Sequence, residues 1–211
     1  MPTPIYHITH INNLESILHL GGLIANNRLK QQQINYRDIA HVNIQDRRAL
    51  IRVPCAAGGC LHDYIPFYFA PRSPMLYTIH KGNVQGYTEG QIPIIHIVTE
   101  AEIILANNLV FAFTDGHGIM NSSDFYDDLQ RLDMIDWEIM QAKYWNDTPE
   151  DVDRKRRRQA EFLVHQFCSW KLVTEIGVID IRVQLQAQEI LQKFNCKTPV
   201  KFTLVGTTEI F

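Results

Sequence analysis

Arg154 to Arg158 are five consecutive cations, and only Gln159 and Ala160 separate them from Glu161, a lone carboxylate at the mouth of the apolar segment Phe162-Leu163-Val164. Cations so placed can hold a polyanion through its phosphates. A carboxylate just inside a strand-like run is positioned to act on something buried. A chain built this way must bring a charged grip and a strand end together.

Around that boundary the hydrophobic pattern predicts an α+β chain with a strand-rich core. Residues 4–9 predict a first strand. A helix follows from Asn12 or Asn13 to Leu20, where Leu14, Ile17, Leu18 and Leu20 recur at helical spacing and Gly21-Gly22 supplies the stop. Residues 24–48 are rich in Gln and Asn without a strong apolar period, which predicts an irregular or short-helical cover. Residues 63–71, then 74–77, predict a strand leading into a helix start. The clearest buried strand is expected at 91–98. Another, at 110–113, is expected to stop in the turn-rich stretch 114–118. Residues 121–158, acidic first and basic last, predict a long and mostly helical insertion. Strands at 161–167 and 178–181, an amphipathic helix over 183–193 and a terminal strand over 200–205 complete the expectation.

With 211 residues, 45% of them hydrophobic and 20% charged, the chain can bury about 70% of its unfolded surface, enough for one domain over residues 1–211. The formal net charge of −3 means that polyanion binding must come from a local patch. The amino terminus has neither the cationic start nor the apolar stretch of a secretion signal. No window reaches the ~18 apolar residues of a membrane span, so a cytoplasmic protein with no membrane contact is expected. Cys55, Cys60, Cys168 and Cys196 are few and irregularly spaced, as reduced thiols are. Cys55 and Cys60 with His62 match no familiar zinc spacing, and no metal is expected.

Alternate side chains of a strand share a face, so Gln159 and Glu161 can look into one cleft. A carboxylate there can bind a ribose hydroxyl and favour positive charge at the neighbouring anomeric carbon, which an oxocarbenium-like glycosidic cleavage needs. The competing reading is a rim carboxylate paired with the adjacent arginines. His7, with Ile8 and Thr9, can recognise a flat carboxamide such as nicotinamide through paired hydrogen bonds; a structural histidine is the alternative. Arg47, Arg48 and Arg52 can clamp a pyrophosphate or stand solvated in a polar loop.

Taken in order, Tyr6-His7-Ile8-Thr9-His10 with Asn13-Leu14 and Ile17-Leu18, then Arg47-Arg48, then 63–69 with 71–77, then Thr114-Asp115-Gly116-His117, and finally 157–163 resemble the DarT family. These are the DNA ADP-ribosyltransferase toxins of DarT–DarG toxin–antitoxin systems. The likeness spans nearly the whole chain and is most specific from Tyr64-Ile65-Pro66-Phe67-Tyr68-Phe69 to Pro74-Met75-Leu76-Tyr77. It implies an ADP-ribosyltransferase fold, a split pair of β-sheets with NAD+ in the cleft and a long, partly helical acceptor-side loop over about 120–160. It implies transfer of ADP-ribose from NAD+ to a base, usually thymine, in single-stranded DNA, with release of nicotinamide. A macrodomain antitoxin, DarG, would reverse it.

By the same resemblance Glu161 matches the catalytic glutamate and Arg48 the catalytic arginine, with Arg47 and Arg52 close by. His7, Ile8 and Thr9 would hold the nicotinamide, Ser16 would add a polar contact, and Tyr68 and Met75 would wall the ring and ribose. His117 would contact the base or its leaving proton, unless it only closes a glycine-flanked turn. Arg154, Lys155, Arg156, Arg157 and Arg158 would follow the DNA backbone while Tyr144 or Trp145 stacks an unpaired base; alternatively the run is a solvated face balancing the acids at 124–136. The implied class is glycosyl transfer, or more broadly nucleotidyl transfer. A guanine-modifying enzyme, a metal-dependent nuclease and a non-catalytic DNA-binding module are the other readings. The nuclease lacks a cluster at ligand spacing, and the acidic balance disfavours the module.

Overall fold

Ten strands form among the residues described, 2–39 and 42–203, of this computed structural model: β1 (Pro4–His10), β2 (Gly22–Ile24), β3 (Tyr64–Tyr68), β4 (Ile94–Glu100), β5 (Phe111–His117), β6 (Phe125–Tyr126), β7 (Ala160–His165), β8 (Phe167–Ser169), β9 (Glu175–Val178) and β10 (Val200–Phe202). Eight of them make one sheet in the order β10-β9-β4-β1-β3-β7-β5-β6, while β2 and β8 pair apart. Neighbours in the large sheet are antiparallel except β9 and β10. The helices are α1 (Leu14–His19), α2 (Asn26–Gln31), α3 (Val42–Leu50), α4 (Pro74–His80), α5 (Ala101–Ala106), α6 (Trp137–Gln141), α7 (Arg154–Arg157) and α8 (Ile181–Lys193). Among the described residues no helix is long and apolar enough to cross a membrane.

The large sheet parts in its middle. β1 pairs with β4 along its whole length, from Pro4↔Glu100 to His10↔Ile94, yet it meets β3 at the single position Tyr6↔Tyr68. Past that point Pro66 has no N–H to offer a ladder. Its carbonyl accepts from the His7 ring, Nδ1 to O 2.8 Å, in place of a ladder amide. The two halves splay around this wedge, which is the split expected of the fold.

Period-two alternation then decides which side chains reach the opening. In β7, Phe162 and Val164 enter the main core with Ile5, Phe67, Ile97, Phe113 and Ile176. Leu163 packs on the other face with Leu61, Tyr64 and Ala112, and Glu161 shares its parity. A smaller cluster of Ile8, Leu76, Ile79 and Ile94, with Tyr68 and Met75 against it, backs the far wall.

Several elements depart from the pattern-based expectation. β4 starts at Ile94, because Pro93 has already turned its carbonyl to the Ile11 amide at 2.8 Å. β5 runs on through the supposed turn to His117, since Thr114 finds a partner in Phe125 of β6. The stretch 121–158 is mostly not helical: it holds β6, a 3-10 stretch (Leu129–Met134), α6 and α7. Its acids act as short caps, Asp128 accepting from the Gln130 amide and Asp136 from that of Ile139, rather than lining one long helix. β9 lies at Glu175–Val178, because Asp180 caps α8 through the Arg182 amide at 2.8 Å. Leu204 and Val205 of the expected terminal strand lie outside the described residues.

Candidate active site

A cavity of about 340 Å³ occupies the split, walled by β1, α1, α2, α3, β3 and the start of α4. His7, Ile8, Thr9, Ser16, Arg48, Tyr68, Met75, His117 and Gln159 all line it. Glu161 does not itself line it; its side chain is 2% exposed and contacts Arg48 and His117, which do. Arg48 Nη1 donates to both carboxylate oxygens, at 2.7 Å to Oε2 and 3.0 Å to Oε1. The Gly118 amide donates to Oε1 at 3.2 Å. His117 Nδ1 stands 3.4 Å from the same oxygen, an electrostatic approach without a well-directed hydrogen bond. Arg48 and His117 thus form the cleft-facing surface of a buried anion.

Burial alone would push the Glu161 carboxyl up, but the Arg48 charge and the His117 contact more than offset it and bring it down to about 2. A carboxyl held below its ordinary value contributes stability above that value, and the contribution disappears as pH falls towards the folded one. The difference in thermal midpoint between wild type and Glu161→Gln is therefore expected to stay constant from about pH 8 to about pH 5 and to narrow only in more acidic solution. Thermal melts across that range check this. Narrowing already near neutrality would mean that Arg48 does not hold the carboxylate.

Of the three arginines near position 48, only Arg48 reaches Glu161. Arg47 is exposed and donates to the Ile119 carbonyl at 3.3 Å, and Arg52 is exposed at a bridge to Cys60. Arg48 lies in the last turn of α3, where a cation suits the helix dipole. His7 has the partner that the structural reading requires, and it also lines the cavity. A carbonyl can only accept, so Nδ1 carries the proton and, in the neutral ring, Nε2 is bare. Burial lowers its pKa against the pull of the Pro66 carbonyl. Tyr68 contacts the Met75 sulfur at 3.6 Å. Burial, and then the Glu161 charge, raise the Tyr68 hydroxyl pKa, which keeps it a donor.

Other residues join the site without a sequence signal. Asn13 bonds the Thr9 hydroxyl at 2.9 Å and clamps the Arg37 backbone at both its N–H and C=O, which straps residues 34–39 along the cleft wall. His62 pairs through Nε2 with Gln45 Oε1 at 2.9 Å. Burial, then the charges of Lys30 and Arg48, hold its pKa at about 4. Four cleft-lining residues keep a buried polar atom without a hydrogen-bond partner in the protein: Arg48 Nη2, His62 Nδ1, His117 Nδ1 and Asn26 Oδ1. Buried polar groups are as a rule satisfied, so such atoms mark where a polar ligand completes the site.

The basic run does not form the free cationic grip expected of it. Arg158 is 3% exposed; its guanidinium donates to the carbonyls of Arg72 (2.9 Å from Nη2), Ile139 (2.6 Å) and Met140. Arg157 pairs with Asp136 at 2.7 Å and with Asp151; Arg156 pairs with Asp153 at 2.7 Å and Asp115 at 3.0 Å. Arg156 ties the acceptor-side segment to β5, Arg157 braces the segment internally, and Arg158 joins it to the loop before α4, so all three guanidinium groups already have partners. The balancing alternative fits only in part: of the acids at 124–136 only Asp136 pairs with the run, and Arg158 is buried rather than solvated. Arg154 donates to the Tyr144 carbonyl at 2.9 Å, and Lys155 stays exposed, with Asp147 at 3.7 Å. Trp145 makes a T-shaped contact with Tyr77, ring centroids 5.7 Å apart, and packs partly buried against the core. Tyr144 is 71% exposed, with Lys143 Nζ over its ring at 5.4 Å from the centroid. No group of three or more His, Cys, Asp or Glu side chains gathers as a metal site among the described residues.

A sheet split around a cleft, with a buried carboxylate held by a cleft-lining arginine, is the architecture of the ADP-ribosyltransferase class, and solved structures agree. DarT of Thermus sp. 2.9 in complex with ADP-ribosylated single-stranded DNA superposes with a TM-score of 0.89 at 45% identity, over 96% of this chain and 94% of that one. The same protein in complex with NAD+ gives 0.83 at 42% identity, over 95% and 96%. The DNA ADP-ribosyl transferase of Thermus sp. (strain 2.9) is 47% identical over 193 residues, 92% of this chain and 89% of the relative. A DNA ADP-ribosyl transferase-DNA ADP-ribosyl glycohydrolase fusion protein of Thermosipho africanus is 26% identical over 90% of this chain, which covers 46% of the fusion. The family model for DarT, ssDNA thymidine ADP-ribosyltransferase, matches residues 6–205. The chain belongs to the DarT family. Nucleotidyl transfer finds no support: ADP-ribosylation breaks a glycosidic bond and leaves the pyrophosphate intact, so the class is glycosyl transfer.

Proposed function

We propose that this chain transfers ADP-ribose from NAD+ to thymine in single-stranded DNA, releasing nicotinamide. The observation that carries this is the buried Glu161–Arg48 pair, whose arginine lines the cleft and keeps Nη2 without a protein partner. The donor set suits NAD+. His7 Nε2 can accept from the carboxamide, Tyr68 and Met75 offer an apolar wall, and Arg48 Nη2 can meet a phosphate or the acceptor base. Glu161 holds a ribose hydroxyl and stabilises positive charge at the anomeric carbon as nicotinamide leaves. Thymine N3 must lose a proton during attack, and the guanidinium of Arg48 with His117 beside it favours the anionic base. A single strand exposes the base edge that pairing hides.

Incubation with NAD+ and single-stranded oligonucleotides differing in one base, read by mass spectrometry, tests the proposal. An ADP-ribose adduct on the thymine-bearing strand is expected. An adduct on guanine alone would move the enzyme to the guanine-modifying reading, and no adduct on any single strand would remove the assignment. Tyr144, the more exposed of the two candidate aromatics, would stack a base of the strand, and Tyr144→Ala is expected to weaken oligonucleotide binding by about 1–3 kcal/mol with NAD+ binding unchanged, as titrations of each ligand would show. The Thermosipho fusion supports a macrodomain antitoxin of the DarG kind as the partner that reverses the modification, within a toxin–antitoxin pair acting in the cytoplasm.

A further inference from the structure

The seat of Glu161 is built by an irregularity in the neighbouring strand. β5 and β7 run in register through Phe111↔Val164, Ala112↔Leu163 and Phe113↔Phe162, then resume at His117↔Ala160. Residues 114–116 of β5 therefore bulge out opposite the single residue Glu161. A bulge at this place costs the Glu161 amide its main-chain acceptor on β5.

The side chain of Thr114 replaces that acceptor. Its Oγ1 accepts from the Glu161 N–H at 3.1 Å and donates its own hydrogen to the Gly116 carbonyl at 2.6 Å. Thr114 is 0% exposed and does not line the cleft. The Gly116 bond closes the bulge, and the chain beyond it comes back to the carboxylate, bringing the Gly118 amide to 3.2 Å and His117 Nδ1 to 3.4 Å from Oε1. The approach is close enough that a Cβ at Gly118 would stand 3.2 Å from Oε1. The outer side of the bulge is tied as well. Thr114 pairs with Phe125, the Asp115 amide donates to the Asp124 carbonyl at 3.3 Å, and Arg156 bonds Asp115 and Ser123 across Gly116.

We propose that Thr114 is a positioning residue for ADP-ribosyl transfer: one buried hydroxyl holds both the backbone of Glu161 and the bulge that carries His117 and Gly118 to its carboxylate. This rests on the function proposed above. It predicts a role for the hydroxyl itself rather than for the volume of the side chain, because a valine of the same shape leaves the Glu161 N–H and the Gly116 C=O without partners.

The test compares Thr114→Val and Thr114→Ser with wild type in two measurements. In the transfer assay, Thr114→Val is expected to lower kcat by about 10- to 100-fold with KM for NAD+ unchanged, and Thr114→Ser to restore kcat. In amide hydrogen exchange without NAD+, the Glu161 amide is expected to be protected in wild type and Thr114→Ser and to exchange faster in Thr114→Val. A valine variant with wild-type kcat, a serine variant as slow as the valine one, or equal protection of the Glu161 amide in all three would overturn the proposal. The exchange readout needs no substrate, so a wild-type protein that fails to transfer would count against the function while the protection pattern still decides the role of Thr114.

Discussion

Glu161→Gln is expected to lower the rate of ADP-ribosyl transfer by about 100- to 1000-fold while NAD+ still binds. The substitution keeps the shape and a carbonyl oxygen but removes the negative charge that opposes Arg48 and that would face the sugar cation. The ground state of NAD+ already carries its nicotinium charge, whereas positive charge at the ribose carbon grows only as the bond breaks. Loss of the carboxylate therefore falls mainly on kcat. Removing it also leaves Arg48 nearly buried and without its counter-charge, which costs stability, so the rate must be compared on folded protein with NAD+ binding measured beside it. A Gln variant that transfers at the wild-type rate would show that Glu161 is only the anchor of Arg48.

Arg158→Met is expected to destabilise the protein by about 2–4 kcal/mol without a specific loss of DNA binding. The Arg158 guanidinium donates to the carbonyls of Arg72, Ile139 and Met140, which come from the loop before α4 and from α6. Burial, and then the nearby Arg72 charge, bring its pKa down to about 10, so part of what those bonds contribute offsets desolvation. Lysine cannot reproduce a planar fork shared among separate carbonyls, and Arg158→Lys should recover little. Denaturant unfolding measures the effect. An unchanged midpoint with weakened oligonucleotide binding would return Arg158 to the DNA-facing role that its neighbours in sequence suggested.

That contrast shows what a linear reading can hold. β1, β7 and α8 were legible because each carries its own periodicity and punctuation, and the position of Glu161 was legible because charge and strand meet within a few residues. The fate of the five cations was not. Asp153 and Asp151 are near in sequence, but Asp115 and Asp136, and the carbonyls of Arg72, Ile139 and Met140 that hold Arg158, meet the run only after the chain has folded back. The continuation of β5 past Phe113 likewise depends on β6, a two-residue strand with no pattern of its own. His62 and Asn26 lie in polar stretches without an apolar period, so nothing in their neighbours announced that they would line a cleft. Thr114 read as part of a turn because its hydroxyl acts on a strand that begins far along the chain.

The central claim is that Glu161 and Arg48 act together on the sugar of a bound NAD+. A crystal structure with a non-hydrolysable carbocyclic NAD+ analogue tests it most directly. The account predicts a hydroxyl of the nicotinamide-side ring within hydrogen-bond distance of the Glu161 carboxylate and a polar ligand atom on Arg48 Nη2. An analogue seated in the cleft with that ring turned away from both residues would contradict it.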